Sequence, residues 1–139
     1  MGDLSPHFSR VEFQCHCCGG LPPDWQGGET PPLVLALEQF RAAAGQAVHI
    51  ISGYRCPRHN RAVGGALDSQ HLRGHAADLY IPGKTVRELY DLAGGVGAFA
   101  RGGIGVYPEQ GFVHVDVRGY EARWGKLHGQ FVSLEEALT

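Results

Sequence analysis

Leu33, Leu37, Phe40 and Ala44 fall at the three- and four-residue steps of one helical face. Thr30 stands ahead of them as a candidate N-cap, with Pro31 and Pro32 in the first turn, where a missing N–H costs nothing. Gly45 is placed to end the helix. The pattern then changes. Val48-His49-Ile50-Ile51-Ser52-Gly53-Tyr54-Arg55 is rich in β-branched residues and predicts a strand. Residues 56 to 74 are mostly polar and contain Gly64-Gly65, which predicts a long loop. A short strand over roughly His75 to Ile81 follows and ends at Pro82-Gly83.

Thr85-Val86-Arg87-Glu88 is a capping box and opens a second helix, which Gly94, Gly95 and Gly97 stop. Ile104 to Tyr107 and Phe112 to Val117 alternate in the manner of two hairpin strands, joined through Pro108-Glu109-Gln110-Gly111. Ser9 to Glu12 is a further capping box, and Ser133 to Glu136 predicts a short last helix. Two or three helices with a small antiparallel sheet make the fold α+β. No repeat or linker divides the chain, so residues 1–139 read as one domain, with a Cys-rich N-terminal segment at about 8–28 packed on it.

Composition narrows this only a little. Hydrophobic residues are 43% and charged residues 19%, a globular balance. A net charge of −2 leaves no footprint for nucleic acid or an anionic membrane, and the reading is of a monomer with neither as partner. No apolar run is long enough to span a bilayer. The first residues lack a basic stretch followed by an apolar one, so the sequence predicts synthesis in a cytoplasm without an ordinary secretory signal.

The chemistry concentrates in Ser69-Gln70-His71-Leu72-Arg73-Gly74-His75-Ala76-Ala77-Asp78 and in Gly111-Phe112-Val113-His114-Val115-Asp116. His71, Asp78 and His114 come from three different segments and are candidate ligands of one zinc ion. Three protein ligands with an open fourth position is the catalytic form of such a site. Gly74 permits the turn that brings His71 back toward Asp78.

Ser-x-His-x-x-Gly-x-Ala-x-Asp, present as Ser69 to Asp78, resembles the first zinc motif of the zinc D-Ala-D-Ala carboxypeptidases and phage L-alanyl-D-glutamate endopeptidases. These belong to the LAS metallopeptidases, which include hedgehog-like domains. Ser52 to Arg55 is similar to the upstream strand with its substrate-binding Arg. Gly103 to Tyr107, followed by Phe112 to Asp116, is similar to the branch with a His-x-Asp strand. The resemblance implies that His71, Asp78 and His114 hold zinc, that Arg55 grips a substrate carboxylate or oxyanion, and that Ser69 lines the site. A structural ion pair is the other reading of Arg55, and a loop cap that of Ser69.

It further implies a D,D-carboxypeptidase or peptidoglycan endopeptidase that uses a zinc-activated water on stem peptides, reached after release or export or on a phage particle. The relatives' acidic residue three before the last His is Gly111 here, and their His two before it is Phe112. Asp116 is therefore the first candidate base and Glu109 the second, with orientation of His114 as the other reading of Asp116. A non-catalytic wall-binding module of the same fold is the alternative function.

Four cysteines remain. Cys15, Cys18, Cys56 and His59 have the makings of a second, structural Cys3His zinc site, in which Cys17 can replace Cys18. A Cys15–Cys56 disulfide and four free thiols are the competing states.

Overall fold

The computed structural model describes residues 2–139, apart from the side chain of Gln26. Among these, helices α1 (Pro32–Ala44), α2 (Pro57–Ala62), α3 (Val86–Gly94), α4 (Gly97–Ala100) and α5 (Leu134–Leu138) accompany six strands. The strands are β1 (His49–Ser52), β2 (Ala76–Tyr80), β3 (Gly103–Tyr107), β4 (Phe112–Asp116), β5 (Ala122–Leu127) and β6 (Gln130–Val132). They form one sheet in the order β1-β2-β4-β3-β5-β6, antiparallel except where β3 runs parallel to β5. The fold is α+β, with a larger sheet and more helical pieces than the sequence pattern predicts.

Side chains alternate across a sheet, so each strand sends one set to the core and one to the other face. Val113 and Val115 of β4, Ile104 and Val106 of β3, and Leu79 of β2 are fully buried against the helices. Leu33, Val34, Ala36, Leu37 and Phe40 supply the buried face of α1, which Gly45 ends in the left-handed region at φ 67°. Thr30 does not cap this helix. Pro31 occupies the N-cap, and the Thr30 hydroxyl donates to the Leu4 carbonyl at 3.3 Å. The Thr85–Glu88 box forms as predicted, each residue bonding the other's backbone N–H at 2.9 and 3.1 Å.

The N-terminal segment is part of the same core. Phe8, Phe13 and Trp25 are buried in it, and Phe13 meets the Trp25 ring edge-on at 5.3 Å. The Phe13 carbonyl accepts from Tyr54 N at 2.9 Å, which fixes the chain leaving β1.

The opposite face of the sheet carries the polar row. Ser52 pairs with Asp78, Asp78 with His114, His114 with Gly105, and Gly105 with Trp124. One line of residues across five strands thus brings together positions 72 apart in the chain. Gly105 in that line has no room for a side chain, because a Cβ there would enter the Trp124 indole. Gly105→Ala is expected to lower stability by about 1–3 kcal/mol, the usual cost of overpacking. Thermal melting checks it, and an unchanged melting temperature would mean that Trp124 does not pack there.

Candidate metal centre

His71 reaches the row from outside the sheet. It lies in a 3-10 turn, Gln70–Arg73, whose N-cap Ser69 accepts the His71 N–H at 3.2 Å. Gly74 then reverses the chain in the left-handed region at φ 71°, with Pro22 and Trp25 packed where a Cβ would stand. The turn therefore delivers His71 to the start of β2, with Asp78 on the strand below it.

Hydrogen bonds settle which nitrogen each imidazole presents. His71 Nδ1 lies 2.7 Å from the Gly53 carbonyl, which can only accept, so Nδ1 carries the proton and Nε2 is free. His114 Nε2 lies 2.6 Å from Asp116 Oδ2, so its free nitrogen is Nδ1. Both free atoms point at one oxygen. His71 Nε2 is 3.3 Å, and His114 Nδ1 3.2 Å, from Asp78 Oδ1. All three ligand atoms lie within 4.8 Å of one another, and all three residues are buried.

The donor set fits a tetrahedral cation. Atoms bound at about 2.0–2.1 Å to one zinc lie about 3.3 Å apart. Three lone pairs converging with no proton between them repel, and a cation or an extra proton must relieve them. Each ligand also has the outer partner that metal ligands usually keep: Gly53 for His71, Asp116 for His114, and Arg55 for Asp78.

Burial and the surrounding charges then act on protonation. Burial pushes the His71 pKa down. For His114 burial works the same way, but hydrogen bonds to Asp116 and Asp78 overcome it and hold the pKa above the usual imidazole value. Burial alone would raise the pKa of Asp78, but the His71 charge and bonds from both imidazoles hold it well below the usual carboxylate range. Asp116 is held low against its own burial by His114 and Arg118.

Two pH effects follow. A metal must displace the His114 proton, so metal affinity is expected to rise with pH through that raised pKa, about tenfold per unit below it. Chelator-competition titrations from about pH 5.5 to 8.5 check this, and a flat profile would contradict it. In the metal-free protein the raised His114 pKa contributes stability below about pH 6.5 that is lost as pH rises through the folded value. The lowered Asp78 and Asp116 contribute stability above about pH 4 that is lost as pH falls through theirs. The lowered His71 contributes stability above about pH 6.5 that is lost as pH falls through its folded value, so the metal-free protein should melt highest near about pH 6.5 and lower on either side.

The three ligand residues line a cleft of about 530 Å³. Trp124 leans on the His114 ring at 4.9 Å and donates its Nε1–H to Tyr107 Oη at 3.1 Å. Tyr107 stacks on Phe112 at 4.6 Å, completing an aromatic wall. Arg55 lines the opposite side. Its guanidinium reaches Asp78 Oδ2 and Asn60 Oδ1, each at 3.3 Å, so the ion pair foreseen for it is present at the cleft's edge. Ser69 caps the His71 turn and also lines the cleft.

The two candidate bases stand elsewhere. Asp116 has no exposed surface and is not among the residues lining the cleft. Its Oδ1 accepts from Gly103 N at 2.8 Å and Arg118 Nε at 2.9 Å, and its Oδ2 from Arg118 Nη2 at 2.8 Å as well as from His114. Both oxygens of this carboxylate are thus engaged behind the imidazole, away from the cleft. Glu109 is also outside it, with its carboxylate on His128 N at 2.6 Å and His128 Nδ1 at 3.0 Å.

Arg118, Trp124 and Tyr107 were not singled out from the sequence. Arg118 follows Asp116 by two, and its guanidinium also covers the Trp124 ring at 5.3 Å. The periodicity of the His-x-Asp strand, carried two residues further, is the signal that points to it.

Two histidines and an aspartate beside an open cleft, each with its outer partner, form a group that could hold a metal ion. The chain belongs to the peptidase M15 family, whose model matches residues 6–116. That span holds all three candidate ligands and ends at Asp116, so β5 and Trp124 lie beyond it. The chain is similar to the peptidoglycan L,D-endopeptidase MepK of Escherichia coli K12, 38% identical over 74 residues, which is 50% of this chain and 39% of that protein. The MepK proteins of E. coli O157:H7 and Shigella flexneri match to the same extent. The matched part is thus well under half the length of these relatives. Among the described residues, no helix is long and apolar enough to cross a membrane.

Proposed function

We propose that this chain is a zinc peptidase that hydrolyses an amide bond in peptidoglycan peptides, acting as an endopeptidase. The observation that carries this reading is the convergence of His71 Nε2, Asp78 Oδ1 and His114 Nδ1 on the floor of an open cleft. The names of the curated relatives support the substrate class. The cleft runs from Gly64 and Gly65 on one side to Lys126 and Phe131 on the other, which suits an internal stretch of peptide better than a single terminal residue.

A zinc ion held there supplies Lewis acidity to the scissile carbonyl and lowers the pKa of a water. The chain's own residues do the rest. Gly53 and Asp116 fix the imidazole tautomers, so both lone pairs face the cleft floor. Arg55 neutralises the second oxygen of Asp78 and presents a guanidinium, which cannot lose its proton, to a substrate carboxylate or developing oxyanion. Burial raises the Tyr107 pKa and keeps its hydroxyl protonated. Since Tyr107 Oη accepts from Trp124, its own proton is free for an acceptor in the cleft. Among the described lining residues, Asp68 is the one carboxylate besides Asp78, and proton transfer to the leaving amine is assigned to it in place of Asp116 and Glu109.

The second reading, a wall-binding module without turnover, is favoured by one observation: both carboxylates nearest His114 in sequence are committed elsewhere. Incubation with purified peptidoglycan separates the two. The peptidase reading expects peptides with new amino groups, identified by mass, lost on chelation and restored by zinc. Zinc binding with no released peptide would establish the module.

A further inference from the structure

Forty-one positions apart in the chain, and away from the cleft, Cys15 and Cys56 bring their sulfurs to 3.6 Å. Cys18 joins them, and the three Sγ atoms lie within 4.8 Å of one another. A disulfide requires about 2.05 Å between sulfurs. Thiolates bound at about 2.3 Å to one tetrahedral zinc lie about 3.8 Å apart, close to the separation seen.

The backbone around the sulfurs is arranged for negative charge. Cys15 to Gly20 folds into a tight loop, with Cys15 N donating to Gly20 O at 2.9 Å and Gly19 N donating to Cys15 O at 2.8 Å. Gly19 takes the left-handed conformation at φ 71° that this loop requires. The loop turns Gly20 N toward Cys18 Sγ at 3.4 Å. Across the gap, Cys56 N donates to Cys15 Sγ at 3.3 Å and His59 N to Cys56 Sγ at 3.4 Å. Every sulfur of the group thus receives at least one backbone N–H. Burial works against a charge on Cys15, but the backbone N–H groups of Cys56, Cys18 and Cys17 bring its pKa down to about 7.

The expected fourth member, His59, is not within the group. Its ring packs edge-on to His16 at 5.8 Å, and its backbone N–H alone serves the sulfurs. Cys17 is exposed and is not within the group either, which leaves three protein sulfurs.

We propose that Cys15, Cys18 and Cys56 hold a structural zinc ion, separate from the cleft, that clamps the N-terminal segment to the start of the loop after β1. The site follows directly on Arg55, the residue that braces Asp78, so the clamp also fixes one wall of the cleft. The inference does not depend on the peptidase reading, since it concerns other residues and is tested by metal content.

The test uses the full chain, purified anaerobically under reducing conditions and loaded with zinc or with cobalt. The expected result is two metal equivalents per chain, an intense sulfur-to-cobalt charge-transfer band, and protection of Cys15, Cys18 and Cys56 from Ellman's reagent until a chelator is added. His71→Ala should lose one equivalent and keep the charge-transfer band. Cys56→Ser should lose the band, keep the other equivalent and melt at a lower temperature. The wild-type measurements stand even if Cys56→Ser does not fold. One equivalent with all four thiols reactive in the zinc-loaded native protein would overturn the proposal. So would a mass lower by two hydrogens under these conditions, which would establish a disulfide.

Discussion

His114→Ala is expected to leave the protein without its cleft metal and to cut peptide hydrolysis by on the order of 10³-fold or more. A metal's contribution to the transition state is several kcal/mol, and each ~1.36 kcal/mol is tenfold in rate. The structure makes the loss severe for a second reason. His114 is the member of the row with the most neighbours: Asp116 by a hydrogen bond, Asp78 Oδ1 3.2 Å from its free Nδ1, His71 ring to ring at 5.2 Å, and Trp124 at 4.9 Å. Its removal leaves two buried carboxylates without the imidazole between them. Stability should therefore be measured alongside activity, by melting in the presence of zinc. His71→Ala, whose imidazole lies outside the sheet, gives the same loss of metal with the strands intact. Retained hydrolysis in a folded variant of either kind would detach the chemistry from this row.

Asp116→Asn carries the second large effect, and it separates the two roles foreseen for this residue. Asp116 accepts from His114 Nε2 at 2.6 Å and balances the Arg118 guanidinium with no exposed surface of its own. As an orienting partner, it should lose metal affinity when neutralised, by roughly 10–100-fold. The asparagine can still accept one hydrogen bond from the imidazole, but it removes the charge that favours the correct tautomer and leaves Arg118 half-buried without its counter-ion. Competition with a chelator of known affinity reads this directly. As a general base, by contrast, Asp116 would lose turnover with the metal affinity unchanged.

The same residue shows where reading the sequence stops. Residues two apart on a strand share a face, which is enough to put Asp116 on the side of His114. It does not say whether the carboxylate stands beside the metal or behind the ligand. That is decided by Gly103 N, which alternation along β4 cannot place, and by the Arg118 guanidinium, which alternation puts on the same face without saying what it pairs with. Gly103 itself must lack a side chain, since a Cβ there would run into the Asp116 carboxylate.

Much of the frame was legible. The alternation of Phe112 to Asp116 is β4, the Thr85–Glu88 box starts α3, and the spacing of Leu33, Leu37 and Phe40 is the buried face of α1. Three ligands on three segments could be named because zinc asks for those side chains and the motif order matches a known pattern. The outer strands could not be read. β5, Ala122–Leu127, contains Arg123 and Lys126 and buries only Gly125, so it has neither an apolar run nor a clean alternation. Its place beside β3 is set by the close approach of Trp124 to Gly105, a contact between distant positions. Helix α2 was hidden for a similar reason. Its six residues are mostly polar, and it is held by Cys56 at its N-cap and by the buried Asn60 rather than by an apolar face.

The most direct measurement is a crystal structure of the zinc-loaded protein with diffraction collected on both sides of the zinc absorption edge. The row of paired residues predicts an anomalous peak bonded to His71 Nε2, Asp78 Oδ1 and His114 Nδ1, with Asp116 behind His114 and open to no solvent. Zinc bound through other atoms, or none in this cleft at saturating concentration, would contradict the account.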